Sequence, residues 1–236
     1  MKVRIKFSKT GPLKFIGHLD MMRFFQKAIR RADIDVTYTT GFSPHQVMAF
    51  ANPLGVGLES TGEYFDIEVN SYTTMAEMKD KLNQVVVPGV EILDVCLLPD
   101  DAGNAMASVA AARYRISFRE GMEPCADWES RFASFCEQET IPATKTTKKS
   151  VLEIDIKPSL YEWQILPDHS IMLFLNASSS GTGNIKPAMV LETFFKAEGI
   201  EFDPYCLCIT RIDTYTDLGT EDAHRFVPMN EVGTSC

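Results

Sequence analysis

Apolar and charged residues alternate over Lys2–Ser8, where Val3, Ile5 and Phe7 fall between Lys2, Arg4 and Lys6. A period of two predicts a half-buried strand with its apolar side on a core. The period then lengthens. Met21, Met22, Phe24, Phe25, Ala28, Ile29 and Ala32 collect on one arc of a helical wheel running from about Asp20 to Arg31. Arg23, Lys27, Arg30 and Arg31 collect on the opposite arc, beside Asp20. A short strand near Asp35–Thr39 follows, then a strand over Tyr64–Val69, a helix over Thr73–Val86 and a strand over Val90–Leu97. The order is βαββαβ.

Pro99–Ala107 breaks the pattern and reads as a linker. The second half then repeats the order. Strands are expected over Arg113–Phe118, Val151–Lys157, Ile171–Asn176 and Cys206–Tyr215, and a helix over Ala126–Glu137. A second helix starts at Pro187, a residue suited to a first helical position, and ends near Ala197 before Gly199. The expected fold class is therefore α+β, with two tandem ferredoxin-like units on antiparallel sheets. They occupy residues 1–98 and 111–215, joined by a linker over 99–110. The acidic, weakly patterned residues 216–236 are expected to fray.

Composition narrows the class without naming a function. At 236 residues and 45% hydrophobic, the chain can bury a core for one large domain or two small ones. No apolar run reaches the roughly 20 residues that span a bilayer. The N-terminus has no signal-like apolar segment, and the six cysteines are scattered without a Cys-x-x-Cys, so a cytoplasmic protein with reduced thiols is expected. Charge is asymmetric. Residues 1–50 carry +6 within a chain of net charge −9, which leaves −15 on the rest. A localised anionic partner or a solvated helix face both fit that distribution.

Candidate chemistry concentrates at residues 14–66. Two of the four histidines, His18 and His45, sit at junctions shaped by Gly17, Gly41 and Pro44. With Asp20 they suit acid–base work, although Asp20 also fits the first turn of a helix, where its charge favours the dipole. Metal ligation is the weaker option, because no His-x-x-x-His, Cys-x-x-Cys or Glu-x-x-His spacing occurs. Arg23, Lys27, Arg30 and Arg31 are spaced to meet phosphates, as are Lys148 and Lys149 beside Lys145. Gly55-Val56-Gly57 lacks the third glycine of a dinucleotide fingerprint. Cys206-Leu207-Cys208 places two thiols on one face of an expected strand.

These residues carry a resemblance. Lys9, Gly11, Phe15-Ile16-Gly17-His18-Leu19-Asp20, Arg23, Ala28–Ala32 and Gly41–His45 resemble an uncharacterised radical SAM-linked domain. That bacterial domain is fused to or encoded beside cobalamin-binding-type radical SAM proteins. The similarity continues through Phe50, Pro53-Leu54, Gly57, Glu59-Ser60 and Glu63–Asp66, then Lys148-Lys149, Ile154–Pro158 and Thr210-Arg211. Gly17 stands where a small Ser is expected. The chain has no Cys-x-x-x-Cys-x-x-Cys, so it does not itself hold a radical SAM cluster, and no metal or cofactor is expected.

The resemblance implies a radical SAM partner but no established activity. One expectation is a non-catalytic module that binds an anionic substrate, RNA foremost, and presents it to that partner. Arg23, Lys27, Arg30, Arg31, Lys148, Lys149 and Glu59 would then be its substrate-binding residues. The other is a stand-alone enzyme, RNA-processing or otherwise acid–base, using His18, His45 and Asp20.

Overall fold

The alternation at the N-terminus does build a strand, β1 (Lys2–Lys9), and the helical arc builds α1 (His18–Arg31). Then come β2 (Met48–Phe50), β3 (Glu59–Glu68), α2 (Met75–Asn83) and β4 (Val90–Leu97). The computed structural model describes residues 1–146, 151–179, 183–220 and 223–234. It is a mixed α+β protein on mostly antiparallel sheet, with four α-helices among the described residues. Two compact units divide it. The first joins Met1–Ala110 to Arg211–Cys236, and the second is Ala111–Thr210.

In the first unit β1 lies between β4 and β3, antiparallel to both, and β2 pairs antiparallel with β3. One face of this sheet carries Val3, Ile5, Phe7, Phe65 and Ile67. It receives Met21, Phe25 and Ile29 from α1 and Met75, Met78 and Leu82 from α2. The rings interlock at edge and tilt angles, Phe7 4.7 Å and Phe65 4.6 Å from Phe25. Thr74 starts α2 by accepting the Glu77 N–H at 3.0 Å. The expected strand at Asp35–Thr39 is reduced to single bridges, Val36 with Val69 and Tyr38 with Gln46. The strand that pairs with β3 comes later, at Met48–Phe50.

The second unit contains β5 (Ala111–Phe118), α3 (Trp128–Cys136), β6 (Pro142–Thr146), β7 (Val151–Asp155), β8 (Leu160–Ile165), β9 (Ile171–Asn176) and α4 (Pro187–Ala197). Strand β9 pairs antiparallel with both β5 and β8. Phe132, Phe135, Phe194 and Phe195 of the two helices fill its core, with Phe132 and Phe194 in edge contact at 5.2 Å. Here the expectation is corrected. Val151–Asp155 alternates but is mostly exposed, and it pairs with β6 as a two-stranded hairpin. The strand beside β9 is Leu160–Ile165, whose Leu-Tyr-Glu-Trp-Gln-Ile alternates equally well.

Strand β10 (Leu207–Asp217) carries the chain back into the first unit, and β11 (Phe226–Pro228) pairs with its end. Residues 217–220 and 223–234, in the segment expected to fray, belong to that unit. Thr234 and Leu97 exchange backbone hydrogen bonds at 2.9 Å. Arg4, buried on the sheet face opposite the helices, donates to both Asp66 carboxylate oxygens at 2.8 and 2.9 Å and to the Met229 carbonyl at 3.0 Å. Beside it Lys6 and Tyr64 donate to Asp213, each at 2.6 Å, and Tyr64 also donates to Asn230 at 3.0 Å. Burial pushes the Tyr64 phenol far up, reinforced by the Asp213 charge.

Candidate functional site

Where β1 runs out beneath the start of α1, the apolar parity of the strand is broken by a cation. Lys9 occupies the side of the sheet that Val3, Ile5 and Phe7 occupy, and it is buried. Its Nζ donates to the Ile16 carbonyl at 2.6 Å, just before Gly17 caps α1. On β3 the same break occurs at Glu63, opposite Phe7 and in line with Phe65. Glu63 accepts from Arg211 Nη1 at 2.8 Å, and that guanidinium nitrogen also donates to the Asn52 carbonyl at 2.7 Å. Side chains of Glu63 and Arg211 are both about 5% exposed, so neither charge is left to solvent to stabilise.

His18, in the first turn of α1, joins this group. Its ring meets Phe50 edge-on at 5.0 Å. A small cavity of about 20 Å³ is lined by Lys9, His18 and Glu63 with Phe7, Phe50 and Leu54 among their neighbours. Burial pushes the His18 imidazole below its usual value, and the Glu63 charge only partly opposes this. Burial lowers the Lys9 ammonium as well, again against Glu63. At neutral pH His18 is therefore a neutral base beside a carboxylate. The cavity matches a single water in size, too small for a substrate as it stands.

The other candidates lie elsewhere. His45 is exposed, its backbone N–H donating to Thr39 Oγ1 and its Nδ1 next to the same hydroxyl, both at 3.1 Å. It lines a separate shallow cavity of about 170 Å³ with Gln26, Arg30, Tyr38, Pro44 and Gln46. Asp20 is exposed and paired with Arg23 at 3.2 Å. Glu59 accepts the Gly11 N–H at 3.2 Å and pairs with Lys14 at 3.4 Å, tying the segment before α1 to β3. Arg23, Lys27, Arg30 and Arg31 stand on the outer side of α1, away from buried Met21, Phe25, Ala28 and Ile29. Among the described residues no ion pair involves Lys27, Arg30 or Arg31. Lys148 and Lys149 lie outside the described residues.

Lys9, Glu63 and Arg211 escaped selection as site residues, although each falls within the segments that carry the family resemblance. The available signal was parity: each of the first two puts a charge where strand alternation asks for an apolar side chain. The cysteine pair separates. Cys206 is buried in a 3-10 turn, and Cys208 is exposed on β10. Burial pushes the Cys96 and Cys136 thiols up to about 12, which makes both poor nucleophiles. Among the described residues no three His, Cys, Asp or Glu side chains are gathered to hold a metal ion, and no helix is long and apolar enough to cross a membrane.

Comparison with known proteins adds one match. Residues 2–187 fit the model of a family described as an uncharacterized protein conserved in bacteria, DUF2344. That span takes in β1 to the start of α4, with the His18 cluster apart from Arg211 and all of the cationic face of α1. No curated protein matches the chain.

Proposed function

The chain belongs to the DUF2344 family of uncharacterised bacterial proteins, and from that premise we propose that it is an accessory module that binds an anionic substrate, RNA, and presents it to a radical SAM partner. One observation carries this reading. Four cations crowd the outer face of α1, and a single neighbouring carboxylate, Asp20, pairs with one of them. A face of that kind on a protein of net charge −9 is a localised anion-binding surface. The radical SAM partner comes from the sequence resemblance alone.

The architecture supports the same reading by analogy. In the first unit the βαββαβ order and the strand order β4-β1-β3-β2 support a ferredoxin-like reading. For the second unit the same reading takes the β6–β7 pair as an insertion after α3 and Leu207–Thr210 of β10 as the last strand. RNA-binding domains of this architecture are common, which is an association and not a mechanism.

The test is a titration of the full chain with labelled RNA at several salt concentrations. Affinity should fall steeply with salt, and Arg23→Ala, Lys27→Ala and Arg30→Ala together should abolish binding while leaving the circular dichroism spectrum unchanged. Binding that is absent, or indifferent to salt, would sink the RNA reading.

A second reading draws on the buried cluster. A neutral His18 beside Glu63 and Lys9 suits general-base chemistry in a stand-alone enzyme, with His45 in a different cavity and outside that chemistry. If turnover of any RNA is detected, His18→Ala should remove it and His45→Ala should not.

A further inference from the structure

Along α1, Leu19, Arg23, Gln26 and Arg30 are spaced four, three and four residues apart, which at about 100° per residue places them on one edge of the helix. The segment 38–46 lies against that edge, because the Gln46 amide donates to the Gln26 carbonyl at 3.2 Å. This segment is a hydrogen-bonded hairpin. Thr39 N–H donates to the His45 carbonyl at 2.8 Å, His45 N–H returns a bond to Thr39 Oγ1, and Val47 N–H donates to the Thr37 carbonyl at 2.9 Å. Gly41 provides the positive φ of +121° at its tip.

The hairpin displays two aromatic rings to solvent, although the Tyr38 hydroxyl also accepts from the Gln46 amide at 3.4 Å. Phe42 is fully exposed at the tip, and Tyr38 is 46% exposed on the wall of the shallow cavity it shares with Arg30 and His45. Beyond the first turn of α1, exposed Phe15 extends the same kind of surface, with the Lys14 ammonium 5.6 Å from its ring. Exposed apolar rings on one hairpin mark a recognition surface. Arg30 beside Tyr38, with Arg23 on the same helix edge, selects the partner: planar, apolar faces joined by anions.

We infer that this edge of α1 and the 38–46 hairpin bind single-stranded RNA, with unpaired bases stacked on Tyr38 and Phe42 and phosphates on Arg23 and Arg30. The inference rests on the RNA reading above and specifies its substrate class. A duplex keeps its bases stacked internally and offers phosphates alone, so it would use the cations and leave the rings idle. A single strand uses both. Stacking tolerates any base, so broad sequence tolerance is expected.

The experiment compares a short labelled single-stranded RNA with the same strand annealed to its complement, both titrated into the full chain at one salt concentration. The single strand should bind about tenfold or more tightly than the duplex. Tyr38→Ala with Phe42→Ala should weaken single-strand binding by about tenfold or more and leave duplex binding unchanged. Tyr38→Phe, which keeps the ring, should bind like the parent chain. Both rings are exposed, and an unchanged circular dichroism spectrum checks that the variants fold. Equal affinity for the two RNAs, with the Tyr38 and Phe42 variants silent, overturns this inference and leaves the broader RNA reading standing. Binding of neither RNA overturns both. A protein partner whose capture depends on Phe42, in a chain that binds no RNA, overturns both as well.

Discussion

Arg4 and Arg30 belong to the same unit, carry the same charge and occur in the same basic N-terminal segment, yet they do opposite things. Arg4 is 2% exposed, and each of its guanidinium nitrogens donates, to Asp66 or to the Met229 carbonyl. Arg30 stands in solvent, its Nε reaching the Gln26 carbonyl one turn back at 3.3 Å. A charge removed from water must be paired and hydrogen-bonded to exist at all, so Arg4 specifies where the C-terminal segment lies. A charge left in water contributes little to folding and is available to a partner. The cluster of buried Lys9, Glu63 and Arg211 with half-buried His18 lies between these limits: mostly paired, narrowly open, and still titratable at His18.

The largest effect should come from breaking the buried side of this contrast. Arg4→Ala leaves the Asp66 carboxylate buried and uncompensated, and should cost about 3–5 kcal/mol in urea-induced unfolding. If Arg4→Ala costs no more than a surface substitution, the pair is not buried in solution. Replacing both partners, Arg4→Met with Asp66→Leu, should by contrast be neutral or stabilising by about 1–4 kcal/mol, because desolvation disappears along with attraction. Should the double replacement be as damaging as the single one, the network is holding the fold rather than its C-terminal segment.

A smaller effect sharpens the intermediate case. The lowered proton affinity of His18 means that the unfolded chain binds more protons than the native one below the usual histidine value of 6.5. Stability from this group is thus fully present above that pH and is lost as pH falls toward the depressed native value. His169 works in the opposite direction, since Glu129 beside it raises its proton affinity in the native state. The His18 contribution is therefore read as a difference. Urea midpoints measured from pH 7.5 downward should decline less in His18→Asn than in the parent chain, and parallel profiles would refute it. The smallest effect belongs to the exposed side. Arg30→Ala should change stability by no more than about 0.5 kcal/mol, while lowering RNA affinity and the salt slope.

How much was legible in the chain follows the same division. Strand β1 and helix α1 could be read because each repeats its period over several turns or pleats and ends at a recognisable Gly or Arg. Pro187 marked the start of α4 for the reason that proline is tolerated there. Strands β7 and β8 could not be ranked. Both alternate, and alternation reports that a strand has two unlike faces without reporting which neighbour it pairs with. For the candidate site, His18 stood out by type and position. Lys9 and Glu63 were visible only as charges on the apolar parity of their strands, a signal that means nothing until the parity is known to face a core. Asp20 and His45 had the right chemistry, but Asp20 is occupied by Arg23 and His45 by its own hairpin.

What the sequence determined by itself is therefore the periodic part: the order of elements over residues 1–97, the apolar arc of α1, the cationic arc opposite, and the absence of a cluster-binding cysteine motif. These depend on neighbours a few residues apart, and side-chain direction along a helix or strand is set locally. Only the tertiary structure decided which charges would be buried. The pairings of Arg4 with Asp66 and of Glu63 with Arg211 span 62 and 148 residues. No local pattern encodes a partner that distant, because it is chosen by strand order and by the return of β10 to the first unit. The same return makes residues 223–234 a cover for the sheet.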